Sequence, residues 1–189
     1  MKRICNFILT IFMSVFSISS HGACDATSIV ATSPSSRFTI HGNGTVTDSK
    51  TGLMWQRCYF PAGGENCDQG TPIQAMRWEE ALGTVARINN GDGYAGYHDW
   101  RLPNAKELVS IFEAQCDEGV NPEIFPNANI FFTFYRRNGV WSNSRKRADD
   151  GAGWVLNLDD GTTTGHESAL PSLLDGLLYY SVRYVRGGN

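Results

Sequence analysis

Gly96-Tyr97-His98-Asp99-Trp100-Arg101-Leu102-Pro103-Asn104-Ala105-Lys106-Glu107-Leu108 is the stretch whose reading decides the fold. Its first half predicts an extended segment in which Trp100 and Leu102 point the same way and enter the core. Asp99 and Arg101 then face outward, to pair with each other or to bond backbone. Pro103 stops strand pairing. Asn104 opens a helix as its N-cap, and Glu107, three residues on, completes an Asn version of the capping box. Leu108, Ile111 and Phe112 supply the buried face of that helix. The stretch is therefore structural: an extended run leading straight into a capped helix.

Just before it lies a second helix. Trp78, Ala81, Leu82, Val85 and Ala86 fall at i, i+3, i+4, i+7 and i+8, one apolar stripe. Asn89-Asn90-Gly91 ends it. Its start is open, because Thr71-Pro72-Ile73-Gln74 fits a capping box with Pro at N1, while Arg77 offers a later start. Further out, both flanks read as strands. Phe38-Thr39-Ile40, Thr45-Val46-Thr47 and Leu53 to Cys58 surround two turns, His41 to Gly44 and Asp48 to Gly52, and suggest a hairpin. Val140-Trp141-Ser142, Trp154 to Leu158 and Tyr180 to Arg186 are strands on the other flank, the second ending at the turn Asp159-Asp160-Gly161. Residues 117–139 read as irregular. This order of elements is α+β: two helices packed against small twisted antiparallel sheets.

Residues 1–23 read as an export signal. Lys2 and Arg3 form the positive start, Phe7 to Ile18 is apolar but for Thr10, Ser14 and Ser17, and Gly22-Ala23 suits a signal peptidase. The apolar run is too short to span a bilayer. A second reading of the junction is a lipoprotein site at Cys24, although His21 stands where a lipobox carries an aliphatic residue. Residues 24–36 form an extended lead-in, and 37–189 form one domain with no repeat and no splitting linker. The expected location is periplasmic, at the outer-membrane surface or secreted, with membrane attachment only through a lipidated Cys24. Loss of Lys2 and Arg3 lowers the cationic residues from 16 to 14 against 19 acidic ones, a net charge of −5. That balance argues against nucleic acid as a partner.

Cys24, Cys58, Cys67 and Cys116 remain, and four thiols in an exported chain pair in one of three ways. Cys58 and Cys67 can close a small loop across Pro61, Gly63 and Gly64, which leaves Cys24 to Cys116 and ties the lead-in to the end of a helix. A lipidated Cys24 would instead leave Cys116 alone. Zinc is the rival, without a CxxC pair to support it.

Several motifs together resemble one family. They are Gly44-Thr45-Val46-Thr47-Asp48, Thr51-Gly52-Leu53-Met54-Trp55, Gly96 to Asn104 with Lys106-Glu107-Leu108, and Tyr184-Val185-Arg186-Gly187-Gly188. The family is the bacterial domain named after the C-terminal region of the collagen-like adhesin Lcl, and the likeness runs from about Phe38 to the end. An Arg-Leu-Pro opening a helix and a late Val-Arg-Gly-Gly strand are also similar, more distantly, to C-type-lectin-like domains and the formylglycine-generating enzyme. The resemblance implies a disulfide-stapled, C-type-lectin-like fold that binds sulfated glycans. The cysteine chemistry of the formylglycine-generating enzyme does not carry over, because no cysteine follows Cys116.

The residues themselves indicate binding rather than catalysis. His41, His98 and His166 fit no catalytic or metal spacing. Calcium is compatible with clusters at Asn89, Asn90 and Asp92 and at Asp149, Asp150, Asp159 and Asp160, but the lectin sugar–calcium motifs are absent, so no ligands are assigned and no cofactor is expected. The candidate ligand-binding set is Tyr135, Arg136, Arg137, Asn143, Arg145, Lys146 and Arg147. Its guanidinium forks suit sulfate, carboxylate or phosphate, and Tyr135 suits a sugar ring. The bland alternative is a solvated loop whose cations offset Asp149 and Asp150. The resemblance implies an anionic glycan or other surface polyanion as the partner, with oligomers or repeated copies raising a low single-site affinity. The rival expectations are a periplasmic enzyme on the same scaffold and an accessory subunit of an envelope assembly. Thr162 to Leu178 is a departure from the resembled family, a longer segment expected to cover the binding face or form a partner contact.

Overall fold

In the computed structural model, residues 24–70, 75–126, 139–145, 153–166 and 180–188 are described. Three strands, β1 (Phe38–His41), β2 (Thr45–Asp48) and β3 (Leu53–Gln56), form a meander across the two expected turns. The last strand of the chain, β7 (Val185–Gly187), pairs antiparallel with β3 and completes a sheet of order β1-β2-β3-β7. The second turn needs Gly52, whose φ of +69° lies in the left-handed region.

The second sheet has the order β4-β5-β6, from β4 (Gly139–Arg145), β5 (Gly153–Asn157) and β6 (Thr163–His166). β6 falls inside the segment read as a departure from the family. Its Thr-Thr-Gly-His sequence has no alternating apolar pattern to mark it, and the turn before it is closed by Asp160, whose carboxylate accepts the N–H and hydroxyl of Thr162. Of that segment, residues 167–178 lie outside the described residues. This sheet is covered on both faces. Val140 and Leu156, paired across β4 and β5, enter one apolar core with Val46, Trp55, Leu108, Ile111 and Phe125. The next pair, Trp141 and Val155, enters a second core with Trp78, Ala81, Trp100, Leu102, Tyr180 and Tyr184. Successive residues of a strand face opposite ways, so β4 and β5 each feed both cores.

Helix α1 spans Trp78–Asn90. The Glu80 carboxylate accepts the Arg77 N–H at 2.9 Å, which places the start at the later of the two positions; Thr71 to Gln74 lie outside the described residues. Its buried stripe is Trp78, Ala81, Thr84 and Val85, with Leu82 half-buried; Ala86 is exposed, which corrects the edge of the predicted face. Helix α2 is short, Ala105–Ser110, and is held by its cap. The Asn104 side chain accepts the Glu107 N–H at 2.9 Å, and Glu107 accepts the Asn104 N–H at 2.7 Å. Asn104→Ala should cost about 1 kcal/mol, read as a lower urea midpoint with an unchanged slope; an unmoved midpoint would show the cap to be redundant.

Trp100 and Leu102 are buried as expected, but Asp99 and Arg101 do not pair with each other. Arg101 exchanges backbone hydrogen bonds with Val185, which brings Arg186 alongside Asp99. Asp99 then takes Arg186 at 2.6 Å, and Arg101 takes Glu107 at 2.7 Å. The final strand is also shorter than predicted. Tyr180 and Ser181 bridge Met76 and Val140, residues 182–184 cross between the sheets, and only Val185–Gly187 joins a ladder.

The disulfides are Cys24–Cys116 and Cys58–Cys67. Pairing of Cys24 corrects the lipoprotein reading, since a sulfur bonded to Cys116 cannot also carry a lipid. It also removes the thiolates that a zinc site would use, and no group of three His, Cys, Asp or Glu able to hold a metal occurs among the described residues. Such bonds persist in oxidising compartments. No helix among the described residues is long and apolar enough to cross a membrane.

Candidate functional site

The described part of the candidate site is the far end of β4. Trp141 pairs with Val155 and Arg145 with Gly153, so the ladder is irregular in between, where Ser142, Asn143 and Ser144 stand against Trp154 alone. Such a bulge bends the strand and re-aims its side chains. Here both helices hold it in place. The Asn143 N–H donates to Pro103 O at 2.7 Å, the Ala105 N–H to Ser144 Oγ at 3.0 Å, and Trp78 Nε1 to Ser142 O at 2.7 Å. Asn143 and Arg145 are exposed.

Arg145 has no carboxylate partner among the described residues. Its guanidinium carbon lies 5.8 Å from the centroid of Trp78, the first residue of α1. Gly153 allows this, because a Cβ there would sit 2.4 Å from the indole Cδ1 of Trp78. The cation is thus carried by a braced strand end and backed by an aromatic face. Trp154 Nε1 donates to the carbonyl of Arg145 at 3.2 Å, a second clamp on the same residue. Tyr135, Arg136, Arg137, Lys146 and Arg147 lie outside the described residues.

The other candidates are dispersed. His41 Nε2 lies 2.8 Å from Thr47 Oγ1, and His98 Nδ1 lies 3.1 Å from the carbonyl of Asn89. His166 belongs to β6. Asn89 is committed to Trp100, accepting its N–H at 3.0 Å and donating to its carbonyl at 2.7 Å, so its side chain serves the fold. Asp149 and Asp150 lie outside the described residues.

Arg183 is among the buried polar residues that the sequence pattern does not mark. It is 1 % exposed. Its guanidinium donates to the carbonyls of Gln56 and Arg57 and lies 4.3 Å from the Tyr59 ring centroid and 4.6 Å from that of Phe125. Burial pulls its pKa down from the ordinary value, against the opposing pull of Tyr59. The same burial pushes the Tyr59 phenol up. Nothing in the alternation of Tyr180 to Arg186 sets this arginine apart from a solvent-facing one.

Residues 44–186 match the Lcl C-terminal domain. The chain belongs to the Lcl C-terminal domain family. No curated protein matches it. In this Lcl C-terminal domain the matched span starts at the turn before β2 and runs into β7, so it contains the bulged end of β4 and both outward ion pairs. Cys24, Arg37 and β1 lie before it, although each is tied to residues within it.

Proposed function

We propose that this Lcl C-terminal domain is an exported, lectin-like binding module that attaches to anionic, and above all sulfated, glycans at a cell surface. The observation that carries the reading is Arg145: an exposed cation without a carboxylate partner among the described residues, on a strand end clamped by Trp78 and Trp154. A guanidinium presented in this way matches the paired oxygens of a sulfate or carboxylate. Arg136, Arg137, Lys146 and Arg147 flank the strand in sequence and concentrate positive charge in a chain of net charge −3. Contacts of this type are shallow and salt-sensitive. Several copies acting together would turn weak single contacts into firm attachment. The module works by binding in this reading; one ring nitrogen each of His41 and His98 is engaged within the fold.

Heparin chromatography tests it. Replacing Arg136, Arg137, Arg145 and Lys146 together by Ala should abolish retention at low salt while near-ultraviolet circular dichroism stays that of the wild type. Arg145→Ala alone should weaken binding by about threefold or more at low ionic strength, and less in high salt. Unchanged retention of the fourfold variant would discard the site. A glycan array then identifies the sugar.

A further inference from the structure

Trp154 stands apart from the other tryptophans. Trp55, Trp78, Trp100 and Trp141 are each at most 3 % exposed and sit in the two apolar cores. Trp154 is half-buried and belongs to neither core. A tryptophan gains most by full burial, so one left at the surface and fixed there calls for an account. Three features fix and uncover it. Its Nε1 is tied to the carbonyl of Arg145. Its partner across β5 and β6 is Gly165, which has no side chain to lie over the indole. On the other side it faces the bulge, where the regular ladder is interrupted and Asn143 is turned to solvent.

The faces of the strand narrow the ligand. Arg145 pairs with Gly153 and extends to the side where Trp78 packs. Trp154 follows Gly153 and therefore leaves β5 on the opposite side. Indole and guanidinium come off one strand end on its two faces. A chain of rings laid across the strand end would meet both. The apolar face of a pyranose stacks on an indole, and an anionic substituent further along meets the guanidinium.

We propose that Trp154 is the stacking platform of the β4 site and that its ligand is a linear oligosaccharide with anionic substituents, not a single sugar or an isolated anion. This rests on the anionic-glycan reading and adds to it a residue and a minimum length. The test is calorimetric titration of the whole protein with a heparin-derived octasaccharide at low salt. Trp154→Ala should weaken binding about tenfold. Trp154→Phe should stay within about threefold of the wild type, because it keeps a ring while losing the bond to Arg145. Equal affinity of wild type and Trp154→Ala overturns the platform, and if Arg145→Ala is weakened in the same series the anionic-glycan reading survives it. Equal weakness of both Trp154 variants also overturns it, since the indole then acts only through its hydrogen bond. A wild type that does not bind overturns both readings. Should Trp154→Ala not fold, acrylamide quenching of the wild type decides: the octasaccharide should remove the accessible part of the emission, and unchanged quenching counts against the platform.

Discussion

Asp48→Ala should destabilise the fold by about 3–5 kcal/mol, a large fraction of the roughly 5–15 kcal/mol by which a domain is stable. The Asp48 side chain is fully buried and that of Arg37 is 7 % exposed, and they form a two-pronged pair. The carboxylate also accepts the Thr51 hydroxyl and the Lys50 N–H, and Arg37 spends its remaining arm on the Ser110 carbonyl at 2.8 Å. The pair thus ties the entry to β1, the β2–β3 turn and the end of α2 together. Removing the acid strands a buried guanidinium, and most of the cost comes from there. Arg37→Met combined with Asp48→Leu should therefore recover much of the loss, because no charge remains to be compensated. Urea melts of the two variants check both statements; a double variant as unstable as Asp48→Ala would contradict them.

The same pair shapes the acid limb of stability. Burial by itself would raise the Asp48 pKa, but the hydrogen bonds from Arg37, Thr51 and Lys50 outweigh it and hold the carboxyl below its ordinary 3.8. A carboxyl depressed in the folded state binds its proton more readily in the unfolded chain. Its contribution is complete above the ordinary value and disappears as the pH falls through the lower, folded one. Asp48→Asn should remove that part of the acid dependence and flatten the stability profile below about pH 4.

The second large effect belongs to Cys24–Cys116. It closes a loop of 92 residues, against 9 for Cys58–Cys67. In the chain-entropy account the long bond restrains the unfolded chain by about 4–5 kcal/mol and the short one by about 2.5–3. Replacing both cysteines of a pair by serine should thus cost more for the pair whose Cys24 lies at the exposed margin of the molecule than for the buried Cys58–Cys67 pair. The folded state gives little hint of this order. With the bond gone, residues 25–33 keep their hold: the Glu113 carboxylate accepts the N–H of Thr32 at 3.1 Å and of Ser33 at 2.8 Å, and the Asp25 N–H donates to Gln115 O at 2.6 Å. The difference resides in the unfolded chain. Thermal melts of the two double-serine variants check it, and the reverse order would refute the loop argument.

The candidate site was half legible. Arg145 and Asn143 stood out as part of a basic run in an acidic chain, and charge density is a property of neighbours in sequence. Trp154 did not, because on an alternating strand it looks like any core tryptophan; only its place opposite a glycine and beside a bulge shows otherwise.

The sequence by itself determined whatever is settled within a few residues. Asn104 and Glu107 cap a helix because both partners lie within one turn. Trp100 and Leu102 go inward because alternate residues of an extended segment share a side. Tertiary structure alone decided the partners. Asp99 meets an arginine 87 residues away, Arg183 is driven into the core to reach carbonyls 126 and 127 residues before it, and Arg145 rests on an indole from another element. Local periodicity states which side a residue faces; what waits on that side depends on how distant segments pack.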